Sequence, residues 1–313
     1  MKKIAVVAPF YNEVDNIKKF VDQVFSAMDK FSTDWELILV DDGSIDGGYD
    51  LIQSEYSNNK NLKLVKLVKN FGQTAATQAG IDLSDSKIIV TLDSDLQNDP
   101  QDIPMMVNHL VDFNMNLVVG WRKQRKDGLF LRRIPSFLAN KLISFITGVK
   151  LHDYGCSLKV YRASCLKKVR LYGEMHRFIP TWLATQSNPR KIVEIPVNHN
   201  PRVAGKSKYG ISRTFRVVID LLSIYFFMRF LSKPGHFFGF IGMIFFFAGT
   251  LVLSLLTYEK LFLGADIGSR PLLLAGILFF TVGIQLISFG VLGEILSRTY
   301  FASSKEKPYQ VEE

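Results

Sequence analysis

Cysteine and histidine are scarce in this sequence, and their arrangement excludes the commonest zinc-binding classes. The chain of 313 residues contains two cysteines, Cys156 and Cys165, and five histidines. The cysteines form no Cys-x-x-Cys motif, and no two histidines have the spacing of metal ligands. We therefore expect no zinc site.

Charged residues are missing from two long stretches in the last third of the chain. Residues 234–258 and 271–293 contain no Asp, Glu, Lys or Arg. Each is longer than the roughly 20 residues that a helix needs to cross a bilayer, and neither has the polar stripe of a buried helix. The sequence predicts two transmembrane helices within a membrane domain at 234–296, followed by a tail at 297–313.

Lysine and arginine flank these stretches unequally, which predicts an orientation. The loop at 259–270 carries two basic and two acidic residues, whereas the outer flanks carry an excess of basic ones. The flanking basic residues are Arg229, Lys233, Arg298, Lys305 and Lys307. The positive-inside rule then predicts a multi-pass protein of the inner (plasma) membrane, with the preceding domain and the tail both cytoplasmic. Cysteines of a cytoplasmic domain are expected to be reduced thiols.

Up to about residue 210 the chain alternates β-branched apolar runs with amphipathic segments. Strands are predicted at 3–10, 35–40, 62–68, 87–93 and 116–121, with helices between them. The first run is interpreted as a strand, since Asn12 and Glu13 end it too early for a signal peptide. This alternation predicts an α/β domain at 1–210, with a mostly parallel sheet that binds ligands beyond the carboxyl ends of its strands.

Two aspartates follow the fourth predicted strand, in the stretch TLDSDLQNDP at 91–100. Asp93 and Asp95 repel each other when close unless a cation lies between them. A solvated turn is the alternative, because Asp, Ser, Asn and Pro are all turn residues. Their place at the ligand-binding end of a strand favours a divalent cation, held by Asp93, Asp95 and Gln97, that bridges the phosphates of a nucleotide.

Two segments, at 129–148 and 211–231, place apolar residues on one helical face and basic residues on the other. Basic amphipathic helices are typical of the membrane surface, although helices that cap a sheet are the alternative. The predicted spans that follow the second segment favour the membrane surface. The net charge of +9 is concentrated beside these membrane elements, so no nucleic-acid partner is expected.

Seven motifs occur in the order found in family-2 glycosyltransferases of the GT-A fold. They are PFYNE (9–13), VDDGSIDG (40–47), NFGQTAA (70–76), LDSDLQ (92–97), GWRKQR (120–125), DYGCSLKVYR (153–162) and GKSKYG (205–210). Over nearly its whole length the chain resembles polyprenyl-phosphate glycosyltransferases, which include dolichol-phosphate mannose synthase and bactoprenol glucosyltransferases. The resemblance implies a GT-A domain with amphipathic interface helices and two spans. It also implies inverting transfer from a nucleotide-sugar to polyprenyl (undecaprenyl) phosphate, with Mg²⁺ or Mn²⁺.

The resemblance further implies roles for individual residues. Those matching the nucleoside pocket and the donor phosphates are Pro9, Tyr11, Glu13, Asp41, Asp93, Gln97 and Arg122. Arg202 and Lys208 match a loop that closes over the donor, whereas Arg132 and Ser136 match residues that hold the acceptor phosphate. Asp153 matches the catalytic base, and Asp95 is the other residue placed in catalysis. Because a phosphate monoester has a second pKa of roughly 6, we interpret Asp153 as a positioning group as much as a base.

The sequence leaves the sugar open. By resemblance UDP-glucose is the first choice of donor, and UDP-N-acetylglucosamine, UDP-galactose and GDP-mannose are alternatives. Glu174 and His176 are candidates for contacting the sugar. Relatives also imply a homo-oligomer, with a tetramer as one arrangement, a flippase partner, and a role in modifying cell-envelope glycans. The rival functions are a processive polysaccharide synthase, which requires a Gln-x-x-Arg-Trp motif that is absent here, and a non-catalytic membrane scaffold. The intact acids at 93, 95 and 153 argue against the scaffold.

Overall fold

The computed structural model describes residues 3–123, 148–171, 175–201 and 233–303, with isolated positions at 144, 173, 225, 226 and 230. The chain divides into two compact units, of residues 1–220 and 221–311. The predicted surface helices at 129–148 and 211–231 lie almost wholly outside the described residues, and the predicted boundary at 210 stays a prediction.

The first unit contains a seven-stranded mixed sheet. Its strands are β1 (Ile4–Phe10), β2 (Trp35–Asp41), β3 (Leu62–Lys66), β4 (Ile88–Thr91), β5 (Leu117–Trp121), β6 (Lys159–Arg162) and β7 (Ile192–Pro196). The order is β3-β2-β1-β4-β6-β5-β7, and β6 alone runs antiparallel to its neighbours. The five predicted strands are confirmed. The sequence analysis missed β6 and β7, which are short and interrupted by charged residues or proline.

Helices cover the sheet as the alternating pattern predicts. They are α1 (Val14–Asp29), α2 (Gly48–Tyr56), α3 (Gln73–Asp82), α4 (Ile103–Asp112), α5 (Ala163–Leu166) and α6 (Ile179–Gln186). All seven residues of β1 are buried, as expected for a central strand with a parallel neighbour on each side and helices on its faces. A Cβ at Gly80 of α3 would lie 2.4 Å from Val7 Cγ1, so this glycine lets α3 pack directly on β1.

The second unit contains two long apolar helices, α7 (Pro234–Leu263) and α8 (Pro271–Ser303). They pack through glycines: a Cβ at Gly249 would lie 2.3 Å from Phe280 N, and one at Gly283 would lie 2.4 Å from Phe246 N. Large apolar side chains such as Phe247 point outward and are exposed. Both helices are long and apolar enough to cross a membrane, with a mean hydropathy of 2.3, and they lie where the sequence predicts transmembrane helices.

Candidate active site

The acidic motifs meet at the carboxyl edge of the sheet. Phe10 at the end of β1 is paired with Asp41 at the end of β2, and β4 runs parallel to β1 on its other side. Parallel strands bring their carboxyl ends to one edge, so the loops after β1, β2 and β4 are neighbours there. The residues of these loops that are predicted to contact the nucleoside and the phosphates therefore lie along one edge of the sheet.

Asp41 supplies an unsatisfied acceptor at this edge. The side chain is fully buried, and its Oδ1 accepts a hydrogen bond from Ser44 N at 2.8 Å. Its Oδ2 is buried without a hydrogen-bond partner among the described residues. Because such an oxygen is costly to leave unpaired, it favours a ligand N–H or hydroxyl at this point. Pro9 is buried nearby in the sheet edge, whereas Tyr11 is 36% exposed.

The loops after β1 and β2 are tied together by side chains that the sequence analysis did not assign. Asn12 N donates to Ser44 Oγ at 2.9 Å, and Ile45 N donates to Asn12 Oδ1 at 3.0 Å. Glu13 accepts a hydrogen bond from Asn16 Nδ2 at 2.7 Å, which holds its carboxylate beside the first turn of α1. These bonds fix the loop that carries Tyr11 and Glu13 next to Asp41.

Asp42 has a structural role, although it is next to Asp41 in the chain. Its two carboxylate oxygens accept hydrogen bonds from Phe71 N at 2.8 Å and Gly72 N at 2.9 Å. The loop before α3 is thereby held at the sheet edge. Of the two aspartates, only Asp41 has a carboxylate oxygen without a hydrogen bond among the described residues.

Asp93 and Asp95 form the predicted acidic pair. Asp93 Oδ1 accepts a hydrogen bond from Gln73 Nε2 at 2.7 Å, and Asp95 Oδ1 accepts one from Gln97 N at 3.1 Å. Burial and then the negative charge of Asp95 raise the pKa of Asp93 to about 6. The two carboxylates therefore repel each other as expected, and a cation between them would relieve the repulsion.

The donor set at this pair fits a hard divalent ion that shares its coordination with a ligand. Among the described residues no group of three or more His, Cys, Asp or Glu side chains is placed to hold a metal. Mg²⁺ is commonly held by one or two carboxylates together with substrate phosphates, and the carboxylates of Asp93 and Asp95 match the protein's share of such a site. Gln97 follows them in the chain, and its backbone carbonyl oxygen accepts a hydrogen bond from Asn200 N at 2.8 Å. Coordination by the Gln97 side chain stays a prediction.

Arg122 and Asp153 form a bidentate ion pair. Arg122 Nε donates to Asp153 Oδ2 at 2.7 Å and Nη2 donates to Oδ1 at 2.9 Å, with both side chains only 10% exposed. Gly155 N also donates to Oδ1, at 3.1 Å. Burial lowers the pKa of Arg122, but the hydrogen bond and charge of Asp153 outweigh it and raise the pKa overall. The carboxylate predicted as a base is therefore already engaged by an arginine.

Glu194 supports this ion pair from β7 and was missed by the sequence analysis. Its Oε2 accepts hydrogen bonds from His152 N at 2.7 Å and Asp153 N at 3.4 Å. The His152 ring stacks on Trp121, with centroids 4.5 Å apart. Since β7 itself was missed, no signal in the local sequence pointed to Glu194.

Lys159 is a second unpredicted residue, located on β6 opposite Thr91 of β4. It is 2% exposed, and its Nζ donates to the Cys156 carbonyl oxygen. Burial lowers the pKa of Lys159, while the nearby charges of Asp153 and Asp93 oppose this effect. A buried lysine whose charge interacts with both Asp153 and Asp93 distinguishes this site from an ordinary strand end.

Several predicted residues lie outside the described part of the chain. They are Arg132, Ser136, Glu174, Arg202 and Lys208. His176 is described, and its Nδ1 lies 2.6 Å from Thr74 Oγ1, one residue from Gln73. His176 therefore lies near the side chain that contacts Asp93.

The comparisons with known proteins decide the family. The sequence pattern described as "Glycosyl transferase family 2" matches residues 5–170. The chain belongs to glycosyl transferase family 2. The resemblance seen in the motifs and the assignment as a glycosyltransferase are thereby confirmed.

Curated relatives match over almost the whole chain. Dodecaprenyl-phosphate galacturonate synthase of Rhizobium johnstonii is 51% identical over 312 residues, covering 99% of this chain and 92% of the relative. Undecaprenyl-phosphate 4-deoxy-4-formamido-L-arabinose transferase of Aeromonas hydrophila is 34% identical over 302 residues, covering 96% and 90%.

Solved structures confirm the GT-A fold. Glucosyl-3-phosphoglycerate synthase of Mycobacterium tuberculosis, solved with Mn²⁺, uridine diphosphate and phosphoglyceric acid, superposes with a TM-score of 0.55. It is 18% identical, and the match covers 72% of this chain and 78% of that one. At this identity the likeness concerns the fold alone.

Proposed function

We propose that this glycosyltransferase moves galacturonate from UDP-galacturonate to a polyprenyl phosphate at the cytoplasmic face of the membrane. The identity of 51% to a dodecaprenyl-phosphate galacturonate synthase, along 99% of the chain, is the observation that carries the choice of substrates. The relative from Aeromonas hydrophila is also named for a polyprenyl-phosphate acceptor but for a different sugar. The acceptor class is thus better supported than the sugar, and galacturonate replaces UDP-glucose as the donor that we favour.

The buried carboxylates at the sheet edge suit the nucleotide end of the donor. The unpaired Oδ2 of Asp41 would accept a hydrogen bond from a base N–H or a ribose hydroxyl, and the exposed ring of Tyr11 would pack on the base. Asp93 and Asp95, with Gln97 as a further oxygen donor, would hold Mg²⁺ or Mn²⁺. When bound, such an ion supplies Lewis-acid stabilisation of the leaving diphosphate.

Arg122 and Asp153 suit the transfer step. Arg122, held rigidly by Asp153, would stabilise the negative charge that develops on the leaving diphosphate. The acceptor phosphate has a second pKa of roughly 6, so it is already ionised at neutral pH and needs little deprotonation. We therefore assign Asp153 to positioning. A single in-line displacement would invert the anomeric configuration.

The two apolar helices suit a membrane anchor. Only 17% and 11% of their apolar windows are buried, which differs from the core helix of a soluble protein. We propose that α7 and α8 span the inner membrane, with the glycosyltransferase domain and the tail cytoplasmic. Arg132 and Ser136 would hold the acceptor phosphate, and Arg202 and Lys208 would close over the donor. A homo-oligomer and a flippase partner stay predictions.

A donor panel tests this proposal. The purified full chain is incubated with a short polyprenyl phosphate, Mn²⁺ or Mg²⁺, and one donor at a time. The donors are UDP-galacturonate, UDP-glucose and UDP-N-acetylglucosamine, and the lipid products are identified by mass spectrometry. We expect the galacturonate product to dominate and to disappear in EDTA and in Asp95→Asn. Transfer of glucose at a higher kcat/KM than galacturonate would return the donor to UDP-glucose. Full activity in excess EDTA would contradict the metal assignment.

A further inference from the structure

Ser157 bridges the two ends of the acidic loop, which we define as residues 93–98. The hydroxyl oxygen Oγ accepts a hydrogen bond from Asp93 N at 3.3 Å and another from Asn98 Nδ2 at 2.8 Å. The serine lies outside the loop, on the turn that leads from Asp153 into β6. One hydroxyl therefore holds together the start and the end of the loop that carries Asp93 and Asp95.

Both acceptor positions of the Ser157 hydroxyl are occupied. A serine hydroxyl has two acceptor lone pairs and one donor. Asp93 N and Asn98 Nδ2 occupy the two lone pairs. Ser157 therefore holds the backbone of Asp93 and the side chain of Asn98 at the same time.

Asn98 fixes the hydroxyl from the other side. The asparagine is 4% exposed, and its Oδ1 accepts a hydrogen bond from Cys156 Sγ at 3.4 Å. With both ends of the amide engaged, its orientation is determined. Ser157 is also anchored to the sheet, because its carbonyl oxygen accepts a hydrogen bond from Thr91 Oγ1 at 3.0 Å. Ser157 therefore joins the end of the acidic loop to the sheet.

Gln73 completes the hold on Asp93. Its Nε2 donates to Asp93 Oδ1 at 2.7 Å, from the first turn of α3. Gln73 therefore orients the carboxylate, while Ser157 holds the backbone of the same residue. Both contacts act against the repulsion from Asp95.

We propose that Ser157 is a positioning residue for the divalent metal and the donor diphosphate, because its hydroxyl holds the backbone of Asp93 and ties it to Asn98 at the other end of the acidic loop. This inference rests on the proposed function in that Asp93 is taken as a metal ligand. Residues that hold a metal ligand by a hydrogen bond typically change metal affinity by 10–100-fold when they are removed.

The test measures binding of Mn²⁺ to the purified full chain by electron paramagnetic resonance, at saturating UDP. We expect Ser157→Ala to weaken the affinity for Mn²⁺ about tenfold, which corresponds to ~1.4 kcal/mol. Ser157→Thr keeps the hydroxyl and is expected to bind within about threefold of the parent. In a transfer assay at saturating Mn²⁺, Ser157→Ala should recover most of its kcat, because the defect lies in the apparent affinity.

Ser86→Ala is the matched control. Ser86 is a serine whose hydroxyl likewise joins distant segments, since it donates to Glu36 Oε1 at 3.0 Å. It precedes the amino end of β4, at the edge of the sheet opposite the acidic loop. We expect Ser86→Ala to lower the melting temperature by about as much as Ser157→Ala, while its affinity for Mn²⁺ equals that of the parent.

The outcomes separate this inference from the proposed function, since the binding measurement needs neither sugar nor acceptor. If Ser157→Ala binds Mn²⁺ and UDP within twofold of the parent, or if Ser86→Ala shows the same loss, the positioning role is overturned. The role is also overturned if the parent binds no Mn²⁺ with UDP. If the parent binds the ion but does not transfer galacturonate, the donor is wrong and the role of Ser157 stands. Should Ser157→Ala fail to fold, Asn98→Ala and Ser157→Thr carry the same comparison.

Discussion

The ion pair between Arg122 and Asp153 gives the sharpest test of the site. Asp153→Asn keeps the shape of the side chain but removes its charge, so the buried guanidinium of Arg122 loses the carboxylate to which it is hydrogen-bonded. Both side chains are 10% exposed, and each carboxylate oxygen accepts one hydrogen bond from the guanidinium. Removing one partner of such a pair costs about 3–5 kcal/mol, and the retained amide oxygen favours the lower end of this range.

The loss of stability is measurable as a melting temperature. For a unit of this size, 1 kcal/mol lowers the melting temperature by about 2–4 °C, so about 3 kcal/mol predicts a decrease of about 6–12 °C. Glu55→Gln provides the control. It removes the partner of Lys18 in a solvent-exposed pair, where solvent screening makes the loss of stability small. Equal melting temperatures for Asp153→Asn and the parent would show that the buried pair does not stabilise the fold.

The rate as a function of pH separates positioning from proton removal. The assay compares Asp153→Asn with the parent at saturating donor and metal. A residue needed only to remove the last proton of the acceptor becomes dispensable above the second pKa of the phosphate, at roughly 6. We expect the mutant to recover only in part. If it reaches the rate of the parent by about pH 8.5, two or more units above that pKa, Asp153 is a simple proton acceptor and the positioning argument is refuted.

Four further outcomes are expected. Asp93→Asn should stabilise the ligand-free fold above pH 6 while it abolishes Mn²⁺ binding. The pKa of Asp93 in the folded protein is about 6, which exceeds the ordinary value of 3.8, so ionised Asp93 destabilises the fold above pH 6 and this effect vanishes below pH 3.8. Melting temperatures from pH 4 to 8 test the sign, and a larger gain in melting temperature at pH 4 than at pH 8 would contradict it. Asp41→Asn should weaken UDP binding in calorimetry by about 1–3 kcal/mol, because one acceptor oxygen becomes an amide donor; unchanged affinity would remove Asp41 from the pocket. Gly283→Ala should destabilise the helix pair of α7 and α8 in thermal unfolding, since its Cβ would lie 2.4 Å from Phe246 N. As a control, the Cβ of Gly239→Ala would have nothing within 4 Å, so that variant should be neutral or stabilising. Arg132→Ala should raise the apparent KM for the lipid phosphate much more than that for the nucleotide-sugar, and the reverse pattern would place Arg132 in the donor site.

The local patterns of the sequence were enough to predict the apolar architecture. Strands β1–β5 and the two long apolar helices follow from periodicity and from the absence of charge, which depend on neighbours in the chain. The position of the acidic motifs followed too, because the carboxyl ends of parallel strands meet at one edge whatever the details of packing. The location of Asp41, Asp93 and Asp95 at this edge therefore needed only the order of strands and helices, whereas the role of Asp41 was predicted from the family resemblance.

Contacts between distant segments were decided by the tertiary structure. Asp41 and Asp42 are neighbours in the chain, but only Asp42 is occupied by the loop before α3, 29 residues further on. The pairing of Arg122 with Asp153 and the bond between Asn98 and Ser157 depend on β6 entering the sheet antiparallel, between β4 and β5. A strand of four residues that begins with a lysine has no periodic signal of its own. The two strands beside it set its place in the sheet. They thereby also set the partners of the side chains on the turn that precedes it.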